Sequence, residues 1–224
     1  MNVLPLTMRA SSAFTAITTE YGTTYEDLRK SGTATATTSN KLTNSAGAFT
    51  TAGTNGLVAV GDIVKNTTTG LYALVTAIDS ATALSLSADI MLNTNTYEIY
   101  TNHGYKLQGL FSELRAFLYV TAAATDAGDT LDVMIDTSFD DGLTWVNIGH
   151  FTQVLGNGGA KRYMMAFKCA PVATSNSILM STDQTAGNAL QIGFGDRLRY
   201  RATGVNTSTV NNSFTFSLGI QLKK

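Results

Sequence analysis

The sequence predicts an all-β protein, an antiparallel β-sandwich with an inserted small β-barrel lobe. Three observations carry this expectation. Short segments alternate apolar and polar residues, the period of strands with one buried face. Clusters of Gly, Asn, Asp and Ser separate them at hairpin spacing. Threonine is the commonest of the 224 residues, beside 20 Gly and only 2 Pro, a composition that favours strands and turns. Helical periodicity is nearly absent. Its best candidate is TTYEDLRKSG, residues 23–32, where Thr23 or Thr24 would cap, Glu26 and Asp27 lie in the first turn, Arg29 and Lys30 in the last, and Gly32 stops a short helix.

Two segments differ in character. Residues 33–101 are rich in Thr, Ala and Ser and almost free of positive charge, with candidate strands at 61–66, 71–79, 81–88 and 96–101. Within LYALVTAID both strand faces are partly apolar, as in a small curled barrel. The remainder carries longer strands at 114–122, 130–139, 143–154, 161–169, 196–204 and 213–223. Their alternation is clean: Leu131, Val133 and Ile135 oppose Asp132, Met134 and Asp136, and Leu198, Tyr200 and Ala202 oppose Arg197, Arg199 and Arg201. Strands of this kind pack as two sheets face to face. The expected organisation is a discontinuous sandwich of residues 1–32 and 102–224, with residues 33–101 as the inserted barrel. The connection from Pro171 to Gly195 is too long for a passive hairpin loop and is expected to carry a partner contact, form an extra edge strand or pack on a neighbour.

Composition narrows the function classes. The formal charge is -1 and only 14% of residues are charged, with no basic run beyond a dipeptide, so direct nucleic-acid binding is not expected. No stretch approaches the roughly 18 apolar residues of a membrane span, and no classical export signal is visible, so no membrane partner is expected. The single cysteine, Cys169, allows no intrachain disulfide and no thiolate zinc site. It shares a strand face with Tyr163, Met165 and Phe167 and reads as a buried core thiol.

The segment SFDDGLTW, residues 138–145, matches the short Asp-box of sialidase-type propellers. Its mechanics are local: Ser138, Asp140, Gly142 and Thr144 tie a hairpin, and Trp145 is expected to anchor the outgoing strand in the core. The box occurs once here, whereas a propeller repeats it blade by blade, so a structural turn is expected rather than a sialidase. The acidic residues Asp126, Asp129, Asp132, Asp136, Asp140 and Asp141 invite a calcium reading. An EF-hand loop from Asp136 fails, because its sixth position is Asp141 rather than Gly and its twelfth is Asn147 rather than Glu. An ion on Asp140, Asp141 and carbonyls stays as an alternative to a solvated face; no metal or cofactor is assigned. His103 and His150 lack metal-ligand spacing, and no Gly-x-Ser-x-Gly surrounds any serine, so no catalytic residue is assigned. GNGGAKR, 156–162, lacks Walker spacing and reads as a turn. The row Arg197, Arg199, Arg201 and the row Asp132, Asp136 have opposite sign, and they are expected to pair across a subunit interface.

Two stretches carry a resemblance. Residues 33–100, with GDIVKNTTTG, VTAIDSATALSLS and a closing YEIY, resemble a module of structural proteins of tailed bacteriophages. The stretch LRAFLYVTA, TLDVMID, DDGLTW, RLRYR and SFTFSLGI is similar to β-sandwich proteins of phage virions. The resemblance implies a non-enzymatic virion component made in the host cytoplasm. Its leading form is a capsid decoration or cement protein that binds the major capsid protein and copies of itself, as a homotrimer. Tail, neck or fibre-attachment roles are the alternatives within the virion. A carbohydrate-binding module is the alternative of another class; it would need Trp145, Tyr119 and Tyr200 as an exposed platform for a surface glycan.

Overall fold

The computed structural model describes residues 3–14, 19–22, 28–53, 55–102, 104–107, 111–140, 142, 144–168, 183–189, 194–195, 197–205, 207 and 213–223. Sixteen strands and no helix lie among them. They are β1 (Val3–Phe14), β2 (Thr19–Tyr21), β3 (Leu28–Thr33), β4 (Lys41–Thr43), β5 (Ile63–Asn66), β6 (Tyr72–Ser80), β7 (Ala83–Leu86) and β8 (Thr96–Tyr100), followed by β9 (Tyr105–Lys106), β10 (Glu113–Ala122), β11 (Thr130–Ser138), β12 (Val146–His150), β13 (Val154–Leu155), β14 (Lys161–Lys168), β15 (Arg197–Val205) and β16 (Phe214–Lys223). The chain divides into two compact units, residues 1–17 with 105–224 and residues 18–104.

The first unit is built from two antiparallel sheets. One has the order β1-β16-β10-β14; in the other, β11 lies between β12 and β15, with β13 also on β11 and β9 on β15. Their inner faces share one core, in which Leu114, Leu118, Phe167, Phe216 and Leu218 of the first sheet join Leu131, Val133, Ile135, Ile148 and Leu198 of the second. The alternation along β10 and β16 is the cause: every second side chain is buried there, so each strand has one dry and one wet face. β1 is not among the strands that alternation predicts. It pairs with β16 from Val3↔Lys223 to Phe14↔Phe214 through two register shifts, and it lies at a sheet edge, where Pro5 removes no interior ladder bond. The expected strand 143–154 is two strands, β12 and β13, both on β11, separated at Phe151, which is buried.

The second unit is a six-stranded antiparallel sheet of order β3-β8-β5-β6-β7-β4 around Leu42, Phe49, Val64, Val75, Leu84, Tyr97 and Ile99. Beyond β3, Ala36 bridges Thr43, so the two edges are tied at one point rather than by a continuous ladder. The helix expected over 23–32 is corrected where the residues are described: Leu28–Thr33 is strand β3, paired to β8 from Leu28↔Tyr100 to Thr33↔Thr96. Tertiary pairing outweighs the local capping pattern, and Gly32 fits for a strand reason. A Cβ there would lie 2.8 Å from both Tyr97 Oη and Asn44 Nδ2, which are hydrogen-bonded to each other. Because β3 pairs with β8, residues 28–32 lie in this unit, which spans 18–104, and not in the sandwich, to which residues 1–32 are expected to belong.

Candidate functional site: the outer faces of the sandwich

The Asp-box turn is tied as its residues demand. Ser138 Oγ donates to Asp140 Oδ1 at 2.8 Å and accepts from Gly142 N at 2.8 Å. Asp140 accepts from Thr144 N at 2.8 Å and from Thr144 Oγ1 at 2.6 Å. These bonds, led by the Thr144 hydroxyl and amide, hold the Asp140 carboxyl down at about 2. Gly142 takes φ 92°, which a side chain would resist. The expectation for Trp145 is corrected. It is half-buried outside the core cluster, and its ring lies under the guanidinium of Arg199, 4.4 Å from centroid to Cζ.

Asp136 stands at the centre of the outer face of the second sheet and is 1% exposed. Register brings the expected charge rows together within one chain: Asp136 pairs with Arg199 and Met134 with Arg201 across the β11–β15 ladder. Arg199 Nε lies 2.9 Å and Arg201 Nε 2.6 Å from Asp136 Oδ2, while Arg201 Nη2 reaches Oδ1 at 3.0 Å. Arg201 also pairs with Asp183 at 2.6 Å. Burial alone would raise the Asp136 pKa, but the charges of Arg199 and Arg201 and hydrogen bonds from Arg201 and Asn147 outweigh it, and the carboxyl is held below its usual range. Of the expected pairing of Arg197, Arg199 and Arg201 with Asp132 and Asp136 of a neighbouring subunit, Arg199, Arg201 and Asp136 pair inside the chain instead. Asp132 meets no arginine of the row: its partners are His150 Nε2 and Gln153 Nε2, each at 2.8 Å. Arg197 is buried, and its carbonyl accepts from Thr137 Oγ1 at 2.9 Å.

Sequence reasoning missed Asn147 and His150 in this network. Between Ile135↔Gly149 and Asp136↔Asn147 the register of β12 shifts by one residue. That bulge turns both Ile148 and Gly149 toward the core, where a Cβ on Gly149 would meet Met165 Sδ at 2.4 Å and Phe167 Cζ at 2.6 Å. Asn147 and His150 thereby share the outer face. The isolated glycine in an otherwise strand-like run was the available signal. Asn147 Nδ2 donates to Asp136 Oδ1 at 3.0 Å, and its Oδ1 accepts from Gln184 N at 2.9 Å.

Residues 183–189 roof this face and occupy the open edge of β12. Gly187 N donates to His150 O at 2.8 Å, His150 N to Asn188 O at 2.9 Å, and Gly149 bridges Ala189. This part of the long 171–195 connection packs on its own chain; residues 171–182 lie outside the described residues, as do Cys169, His103 and Asp141. Both ring nitrogens of His150 are engaged, Nδ1 at 2.8 Å from Gln184 O and Nε2 at 2.8 Å from Asp132 Oδ1, so neither is left to serve a nucleophile as base. The ion reading at Asp140 also weakens, since both of its oxygens already accept hydrogen bonds within the turn. Among the described residues, no three His, Cys, Asp or Glu side chains are grouped to hold a metal.

The outer face of the first sheet is built differently. Across β14, β10 and β16 the register aligns Arg162, Tyr119 and Ser217, then Met164, Phe117 and Gly219, then Ala166, Arg115 and Gln221, and last Lys168, Glu113 and Lys223. Phe117 and Tyr119 stack with centroids 6.4 Å apart and planes within 7°, and Arg162 Cζ lies 5.9 Å from the Tyr119 ring. Met164 is 64% and Tyr119 40% exposed. At the basic end, Glu113 is held below its usual range first by its hydrogen bond from Arg115 and then by the surrounding cations. The expected platform of Trp145, Tyr119 and Tyr200 does not form: Tyr200 is 5% exposed in the core, and Trp145 stacks on Arg199 of the second sheet.

Compared with known proteins, the chain matches no family model, no curated protein and no solved structure.

Proposed function

We propose that the chain is a non-enzymatic structural protein of a tailed-bacteriophage virion, a capsid decoration protein that packs as homotrimers on the major capsid protein. The reading starts from the resemblance of residues 33–100 and of the sandwich strands to virion modules. The structural observation that supports it is the outer face of the first sheet. Exposed Tyr119 and Met164, with half-buried Phe117 between them, form an apolar strip there, with Arg115, Arg162, Lys168 and Lys223 around it and Glu113 as the carboxylate among them. An apolar centre within a charged rim is the anatomy of a surface that binds another protein by area.

Cosedimentation with capsids stripped of their decoration tests the reading. Saturable binding of the chain, weakened at least tenfold by Tyr119→Ala with Met164→Glu, is the expected outcome. A chain that stays in the supernatant at every concentration defeats it. The same Phe117–Tyr119 stack favours one second reading, a surface glycan lying on the flat aromatic pair. Glycan-array signal that disappears in Tyr119→Ala, together with no capsid binding, would select that reading.

A further inference from the structure

Asp129, just before β11, is fully buried at 0% exposure. It closes the turn 126–129, in which Asp129 N donates to Asp126 O at 3.2 Å and Gly128 N to Asp126 Oδ1 at 2.9 Å. One of its oxygens is satisfied: Oδ1 accepts from Thr207 N at 2.8 Å and from Thr207 Oγ1 at 3.2 Å. The other, Oδ2, is buried with no hydrogen-bond partner. Among the described residues no cation pairs with Asp129. Asp136, equally buried, has two arginines and an amide. A carboxylate taken out of water with a bare oxygen is costly unless a positive charge compensates it.

The surroundings supply the other parts of a cation site. The position a Gly128 Cβ would take lies 2.4 Å from Thr207 Oγ1 and 3.4 Å from Asp126 Oδ1. On a second side, a Gly156 Cβ would lie 1.8 Å from Asp126 O and 3.3 Å from Asp129 Cβ. The bare α-carbons of Gly128 and Gly156 thus leave room for a second carboxylate, a hydroxyl and a backbone carbonyl close beside the turn that holds Asp129, and all of these donors are oxygen.

We propose that Asp129 Oδ2, with the Asp126 carboxylate and the Thr207 hydroxyl, forms a binding site for a hard divalent cation of the calcium class. Oxygen-only donors select calcium over zinc or copper, and calcium tolerates the irregular geometry of a turn better than magnesium does. Two carboxylates place the affinity in the weak class, about 10⁻⁴–10⁻³ M. The ion would tie the 126–129 turn to the segment that follows β15, and so staple one end of the sandwich.

The test is thermal unfolding of the metal-stripped full chain in EDTA, in about 10 mM CaCl2 and in about 10 mM MgCl2. Calcium at roughly ten times Kd is expected to raise Tm by about 3–6 °C, and magnesium by less. Asp126→Asn, which leaves the buried Asp129 in place, is expected to keep the Tm of the stripped wild type and to lose the calcium shift. Asp129→Asn is expected to lose it too; should that variant fail to fold, Asp126→Asn and Thr207→Val carry the test. A wild-type Tm that is the same in EDTA and in calcium, or a calcium shift that survives unchanged in Asp126→Asn and Thr207→Val, overturns the proposal.

Discussion

The two outer faces of one sandwich treat their polar groups in opposite ways. On β11, β12 and β15 the charges turn on each other: Asp136 takes Arg199 and Arg201, Asp132 takes His150, and residues 183–189 cover the group. On β10, β14 and β16 the cations stand around half-buried Phe117 and exposed Tyr119 and Met164, and no described segment covers that face. The difference teaches that a charged row on a strand does not announce an interface. Its ladder neighbour decides, and a basic strand laid beside an acidic one neutralises itself. The face with capacity for a partner is the one on which Tyr119 and Met164 stay exposed and no described segment covers them.

The comparison breaks most visibly at Asp136. Asp136→Ala leaves two arginines beside an empty position, and its expected cost is about 3–5 kcal/mol in urea unfolding. Met164→Ser on the open face is expected to stay within about ±0.5 kcal/mol in the same assay. Equal losses at the two positions would erase the distinction. Next in size is Gly149→Val, which pushes a side chain into Met165 and Phe167 and undoes the bulge that keeps Asn147 and His150 outside; about 1–3 kcal/mol is expected by the same unfolding measurement.

The smallest effect concerns the turn that carries Trp145 toward Arg199. Asp140 is held at about 2, below its unfolded value near 3.9. A depressed carboxyl contributes stability that is present above the unfolded pKa and is lost as pH falls through the folded one. Thermal melts of wild type are therefore expected to lose stability between about pH 4 and pH 2 more steeply than melts of Asp140→Asn. Parallel curves would mean that the turn does not contribute.

Much of this was legible in the residues. Alternation located β10, β11, β14, β15 and β16 because each has one dry face, and SFDDGLTW named the atoms of its own turn. The opposite signs of the Arg and Asp rows point to pairing, and Arg199 and Arg201 do meet Asp136. Their setting was hidden, because β11 and β15 are neighbours in the sheet although about sixty residues apart in sequence, and periodicity carries no adjacency. Trp145 went to the face and not the core for the same reason: the Arg199 that it covers comes from that distant strand. At Leu28–Gly32 a local capping pattern pointed to a helix, and pairing to β8 overrode it. β1 escaped notice because Pro5 and its two register shifts interrupt the period.

We propose that the exposed strip of the first sheet, and not the paired charges of the second, holds copies of the chain together in the proposed trimer. Light scattering on the eluting peak of wild type and of Tyr119→Ala with Met164→Glu tests it most directly. Three times the 23.7 kDa chain mass is expected for wild type and a single chain for the variant. A single-chain wild type, or a variant that keeps the threefold mass, would contradict it.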